Sequence, residues 1–297
     1  MKKNEENKNQ YGLLSNQLKE DLLSLYNSDK VESATLLNKK LNLLNKSLTE
    51  TYFSDNFEPM YFSGKFDADL VFVMLNPGSG ANVKFSFKAK NQFSNFNEYY
   101  NNYFDKHINY SKNKIDNFDL KQAAFLLDFR DSGIKIPDFF NENSKEQKLI
   151  AQENVIRQKL QLEFVPYFSS EFLKLFVNEK LAQIYFPIFE NHINRVFDAI
   201  IQNKRKYVIF GAKQFYFLFT AMQDQVNYKI ELGKEKCFSI NGLQKRTFFN
   251  TVTITYKGNI INAGIAYSFP RRDLPNAFEK MRKYGELCYL EMKSQFG

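Results

Sequence analysis

The sequence predicts an α/β protein: a three-layer α/β/α sandwich around a central, mainly parallel four-stranded sheet, with a helical extension at the amino terminus. Three observations carry that expectation. Short apolar runs alternate with helical stretches, so each strand returns beside an earlier one through a crossover. The first run, residues 70–75, is continuously apolar, as a strand covered on both faces is. It then breaks into Asn76, Pro77, Gly78, Ser79 and Gly80, a polar turn at the carboxyl end of a strand, where open α/β sheets hold their ligands.

Residues 1–50 read as the extension. Leu13, Leu14, Leu18, Leu22, Leu25 and Tyr26, then Leu36, Leu37, Leu41, Leu43 and Leu44, recur at helical spacing among charges and give two amphipathic helices. Their ordinary role is a cap on the main domain, residues 51–297, with a dimerisation arm as the alternative. In the turn after the first strand, Gly78 and Gly80 let the backbone pass close to a ligand, and Pro77 fixes one φ.

Beyond it, Phe85, Phe87, Phe93, Phe96, Tyr99, Tyr100, Tyr103 and Phe104 interleave with Lys84, Lys88 and Lys90. Such a segment can stack bases and hold phosphates, or fold as two helices whose rings fill the core. Tyr99 to Phe104 are assigned to the core and the three lysines to phosphate contacts.

Residues 161–167 form a short strand stopped by Pro166. Residues 171–180 and 186–203 are helical, with Ile193, Val196, Phe197, Ile200 and Ile201 on one side. Residues 206–212 are a strand and glycine turn feeding a helix over 213–222. Residues 248–256 and 260–268 make a hairpin around Lys257, Gly258 and Asn259. The last strand runs out at Phe269, Pro270, Arg271 and Arg272, and a helix over 274–293 closes the order.

Composition narrows the function classes. Among the 297 residues there is no run of about 18 apolar ones, so no membrane partner is expected, and the first residues are too polar for a secretory signal. Two cysteines, Cys237 and Cys288, and two histidines, His107 and His192, make neither a zinc pattern nor a disulfide framework. A reducing cytoplasm is expected, without metal or redox cofactor. The net charge of +8 points to a polyanionic partner. An AT-biased genome, which enriches Lys, Asn, Phe, Ile and Tyr, is the bland source of the same excess.

Taken in order, these motifs resemble the uracil-DNA glycosylase superfamily. Its first motif, at the end of the first strand, reads Gly-x-Asn-Pro-Gly in several branches; the match here is Leu75, Asn76, Pro77 and Gly78. Its second motif, often His-Pro-Ser, follows the last strand and precedes a terminal helix; the candidate is Phe269, Pro270 and Arg271. Residues 208–212 resemble the penultimate strand and its glycine turn, and residues 164–167 a strand ending near a proline. The likeness spans roughly residues 60–290.

The resemblance implies a monofunctional DNA glycosylase acting on phage or damaged DNA. Cleaving an N-glycosidic bond builds positive charge on the sugar and negative charge on the departing base, so donors and an acceptor must face each other across the site. By resemblance Asn76 orients the attacking water, and Leu75, Pro77, Gly78, Ser79 and Gly80 line the base pocket. Tyr167 and Phe168 stack on the extruded base or else fill the core. Ser268, Arg271 and Arg272, with Lys84 and Lys88, contact phosphate.

Two departures qualify the likeness. Phe269 stands where the family often has histidine and cannot donate a hydrogen bond. No asparagine matches the family's uracil reader; the nearest residue is Glu163, whose carboxylate accepts from a cytosine amino group and repels uracil carbonyls. A modified cytosine is therefore the expected base, such as glucosylated hydroxymethylcytosine of phage DNA. A catalytically silent DNA-binding or partner-binding relative is the alternative. A Rossmann-type nucleotide binder is disfavoured, since no Gly-x-Gly-x-x-Gly follows the first strand.

Overall fold

The computed structural model describes residues 20, 34–45, 52–54, 59–76, 114–140, 144–169, 172–223, 225–240, 246–269 and 278–297. Strand β2, Leu70–Met74, is buried along its whole length. Its residues alternate between two apolar clusters: Val71, Val73 and Leu75 enter one, Leu70, Phe72 and Met74 the other. That alternation is why the run reads as unbroken apolar sequence; both sides of the strand are covered.

Strand β3, Leu160–Glu163, pairs in parallel with β2, setting Met74 opposite Glu163. Strand β4, Tyr207–Phe210, lies parallel on the other side of β2, and β8, Asn259–Ala266, is parallel to β4. The remaining pairings are antiparallel. Strand β1, Phe62–Gly64, borders β3, and the long β7, Thr247–Tyr256, borders β8. Two short strands, β5 (Lys229–Leu232) and β6 (Lys236–Phe238), both pair with β7.

The sheet is therefore eight-stranded and mixed, in the order β1-β3-β2-β4-β8-β7-β5 with β6 on β7, and larger than the four strands expected. The excess comes from β1 beside β3 and from β5 and β6 on β7, strands of three or four residues too short to show a period, and from the expected 248–256 hairpin arm, β7, joining the same sheet. At the hairpin tip Lys257 and Gly258 both take positive φ, 50° and 75°, the two-residue geometry that matches strand twist.

Helices cover both faces. Helices α1 (Ala34–Leu44), α4 (Glu179–Ile201) and α5 (Gln214–Met222) pack on the Val71 side. Helices α2 (Asn117–Leu126), α3 (Lys145–Gln158) and α6 (Phe278–Phe296) pack on the Phe72 side. Helices α2 and α6 cross so closely that a Cβ on Gly285 would collide with the Phe125 carbonyl. Helix α1 docks through Ala34, Leu37 and Leu41, and Asn38 clamps the Phe53 backbone with two hydrogen bonds of 2.7 Å. The first expected helix, around Leu13 to Tyr26, lies outside the described residues.

Between β3 and β4 the sequence expectation fails locally. Residues 172–178 do not form an α-helix; Phe172–Lys174 is a single 3-10 turn. Asn178 then starts α4 anew by accepting a hydrogen bond from the Leu181 amide at 2.9 Å. Helix α4 continues through Pro187, which already lay inside the helix expected over 186–203, and its start moves back to Glu179, closing the expected gap at 181–185.

Candidate active site

Parallel pairing sends the carboxyl ends of β2, β3, β4 and β8 to one rim of the sheet. Asn76, Glu163 and the exit of β8 at Ser268 thus belong to the same rim. Pro77, Gly78, Ser79 and Gly80, with Lys84, Lys88, Lys90, Arg271 and Arg272, lie outside the described residues.

Asn76 is half-buried just beyond β2, and its Nδ2 donates to the carbonyls of Ser169 at 3.0 Å and Tyr167 at 3.4 Å. Two carbonyl acceptors identify the nitrogen end of the carboxamide, and so fix which way its oxygen faces. Leu75 is buried, and its carbonyl accepts from the Val165 amide at 2.9 Å.

Glu163 departs most from its sequence reading. It is only 4% exposed. Its Oε1 accepts from the Gln161 amide nitrogen at 2.7 Å, and its Oε2 is buried with no hydrogen-bond partner. Burial opposes ionisation and pushes the carboxyl pKa up to about 8, against a smaller opposing pull from Gln161 and Lys159. At neutral pH Glu163 is therefore a carboxylic acid. The repulsion of uracil carbonyls expected of a carboxylate does not apply.

Glu163 ends a buried polar chain that sequence reasoning missed. Lys159, Gln161 and Glu163 share one side of β3, opposite Leu160 and Leu162. Lys159, fully buried, reaches Gln161 Oε1 at 3.0 Å, Asp119 of α2 at 3.5 Å, and Gln122 Oε1. Gln122 in turn donates to Gln161 Oε1 at 3.0 Å. Desolvation lowers the pKa of Lys159, and Asp119 works against that drop. An ammonium only donates, so Gln161 must turn its oxygen toward Lys159 and its nitrogen toward Glu163. The visible signal was the alternation itself, polar at 159, 161 and 163 and leucine at 160 and 162.

The other rim residues are built into the core. Tyr167 is buried edge-on to Phe53 and His192, and what it gives Asn76 is its backbone carbonyl. Phe168 is buried, with its carbonyl accepting from the Ser54 amide at 2.9 Å. Phe269 stacks on Phe72 at 4.8 Å and touches Phe125 at 4.6 Å, a core ring in the place of the family's histidine. Ser268 accepts a 2.6 Å hydrogen bond from Thr247. His192 is fully buried in α4, where desolvation and Arg195 keep it neutral and the Arg195 guanidinium holds its Nδ1. His107 lies outside the described residues.

A cleft of about 780 Å³ opens at the opposite rim, by the starts of β4 and β8. Three of its cations are engaged locally: Lys206 with Asp69 at 3.3 Å, Lys293 with Asp131 at 2.9 Å, and Arg205 with the Ala68 carbonyl at 2.7 Å. No helix among the described residues is long and apolar enough to cross a membrane. Compared with protein-family models, curated proteins and solved structures, the chain has no match in any of the three.

Proposed function

We propose that the chain is a monofunctional DNA glycosylase that hydrolyses the N-glycosidic bond of a flipped-out, non-standard base, with a modified cytosine of phage DNA favoured by the superfamily resemblance rather than by the charge of Glu163. The reading places it in the cytoplasm. One observation carries it: an oriented asparagine and a buried carboxylic acid end two adjacent parallel strands, with Glu163 opposite Met74, two residues before Asn76. Asn76 would hold the water that attacks the sugar, and Glu163 would meet the base. The parallel run β3-β2-β4-β8, with helices on both faces, is read as the superfamily's three-layer core, and the antiparallel strands as additions to it.

Phe269 supports a second reading, a catalytically silent DNA-binding relative, because a core ring replaces the donor that would hold charge on the leaving base. One assay separates the two. Duplexes carrying uracil, mismatched thymine, hydroxymethylcytosine or glucosylated hydroxymethylcytosine are incubated with the wild type and Asn76→Ala, then treated with alkali. The glycosylase reading expects strand breaks at one of these bases, reduced at least about 100-fold by Asn76→Ala, as for removal of a group acting in the transition state. Binding of DNA with no abasic product supports the silent module.

A further inference from the structure

We propose that Glu163 recognises the extruded base as a carboxylic acid, donating the hydrogen bond from Oε2 to an acceptor atom on the base's pairing edge. This rests on the glycosylase reading of the same rim. The donated bond follows from the direction of the polar chain. Because Gln161 donates to Oε1 at 2.7 Å, Oε1 remains the carbonyl oxygen of the acid and the proton sits on Oε2, the atom without a partner. A buried hydroxyl with no acceptor is a group waiting for one, and a base atom at the rim supplies it. The ring N3 of a cytosine and a carbonyl oxygen of uracil both qualify, and substituents at C5 of cytosine leave N3 untouched.

The surroundings agree with a neutral acid. Lys159, the residue before β3, is the charged group that acts on Glu163, and Asp119 of α2 already holds that lysine. On the flanking strands, β2 contributes Met74 opposite Glu163, and the chain entering β1 contributes the Tyr61 carbonyl, which accepts from the Glu163 amide at 2.9 Å. Neither brings a charge. Burial then pushes the carboxyl pKa up to about 8, so recognition persists at neutral pH and fades above it.

Two measurements test this. In the protein alone, the carboxylic-acid carbonyl band in the infrared difference between wild type and Glu163→Gln is followed from pH 6 to 10, a range spanning roughly two units either side of the expected midpoint. In parallel, binding is measured to duplexes bearing a 2′-fluoroarabino uracil, cytosine or 5-hydroxymethylcytosine nucleotide, whose glycosidic bond resists hydrolysis, and to a plain duplex. The expected result is a band at neutral pH that titrates near 8 and is missing in Glu163→Gln. Base-specific binding by the wild type weakens roughly tenfold between pH 7 and 9, while Glu163→Gln, which keeps a donor at every pH, shows a flat profile. The strongest-binding duplex identifies the acceptor.

Absence of the band at neutral pH, or parallel binding profiles in the two proteins, overturns the proposal while an Asn76-dependent abasic product leaves the glycosylase reading standing. No preference for any modified duplex, with no abasic product, overturns the glycosylase reading and the base assignment of Glu163 with it, whatever the band shows.

Discussion

The two sides of β3 are equally buried and built on opposite principles. Leu160 and Leu162 face α4 and α5 in an apolar cluster, whereas Lys159, Gln161 and Glu163 face α2 through a chain of hydrogen bonds. Apolar burial is favourable in proportion to area. Burying an ammonium and a carboxylate is not, since desolvation can exceed their mutual attraction. The polar side is thus a poor way to stabilise a sheet. The comparison teaches that a strand buried on both faces can carry a polar chain on one of them.

The largest effect should come from splitting the ion pair. Lys159→Met takes the Lys159 ammonium away from Asp119, which is only 1% exposed, and should cost about 3–5 kcal/mol in urea denaturation. A loss below about 1 kcal/mol would mean that the polar side is not electrostatically coupled. On the apolar side, Leu162→Ala should cost about 3 kcal/mol through lost contacts and a cavity, with no dependence on pH.

The effect that distinguishes the sides most sharply is a dependence on pH. The folded chain holds a proton on Glu163 that the unfolded chain releases above pH 4.5, so this contribution is complete below that pH. It is lost as the pH climbs through about 8, at up to about 1.4 kcal/mol per unit. Thermal denaturation of the wild type should therefore show stability falling across this window. Glu163→Gln should remove that slope, and an unchanged slope would assign it to other groups.

How much of this was legible follows from particular residues. Strands β2 and β4, the β7–β8 hairpin and α5 were readable because their apolar runs end in glycine or asparagine turns. Helix α2 was not, since residues 119–126 are buried on every side and show no amphipathic period. Helix α3 escaped because only Ala151, Gln152, Val155 and Ile156 are buried along it. At the site, Asn76 could be picked out from its turn, and Glu163 from the motif order. The protonation of Glu163 was hidden, because it depends on burial and on partners from α2 about forty residues earlier in the chain. Lys159 was hidden for the same reason: a lone lysine before a leucine carries no sign that it will be sealed inside.

The row from Lys159 through Gln161 to Glu163 also works as a polarity switch set at its far end. Each amide has one permitted facing while an ammonium stands at the source. An acceptor placed at residue 159 would favour the reverse facing of Gln161 and move the acid's proton from Oε2 to Oε1. The character of the atom at the end of the row is thus decided four residues upstream, by a side chain sealed in the core.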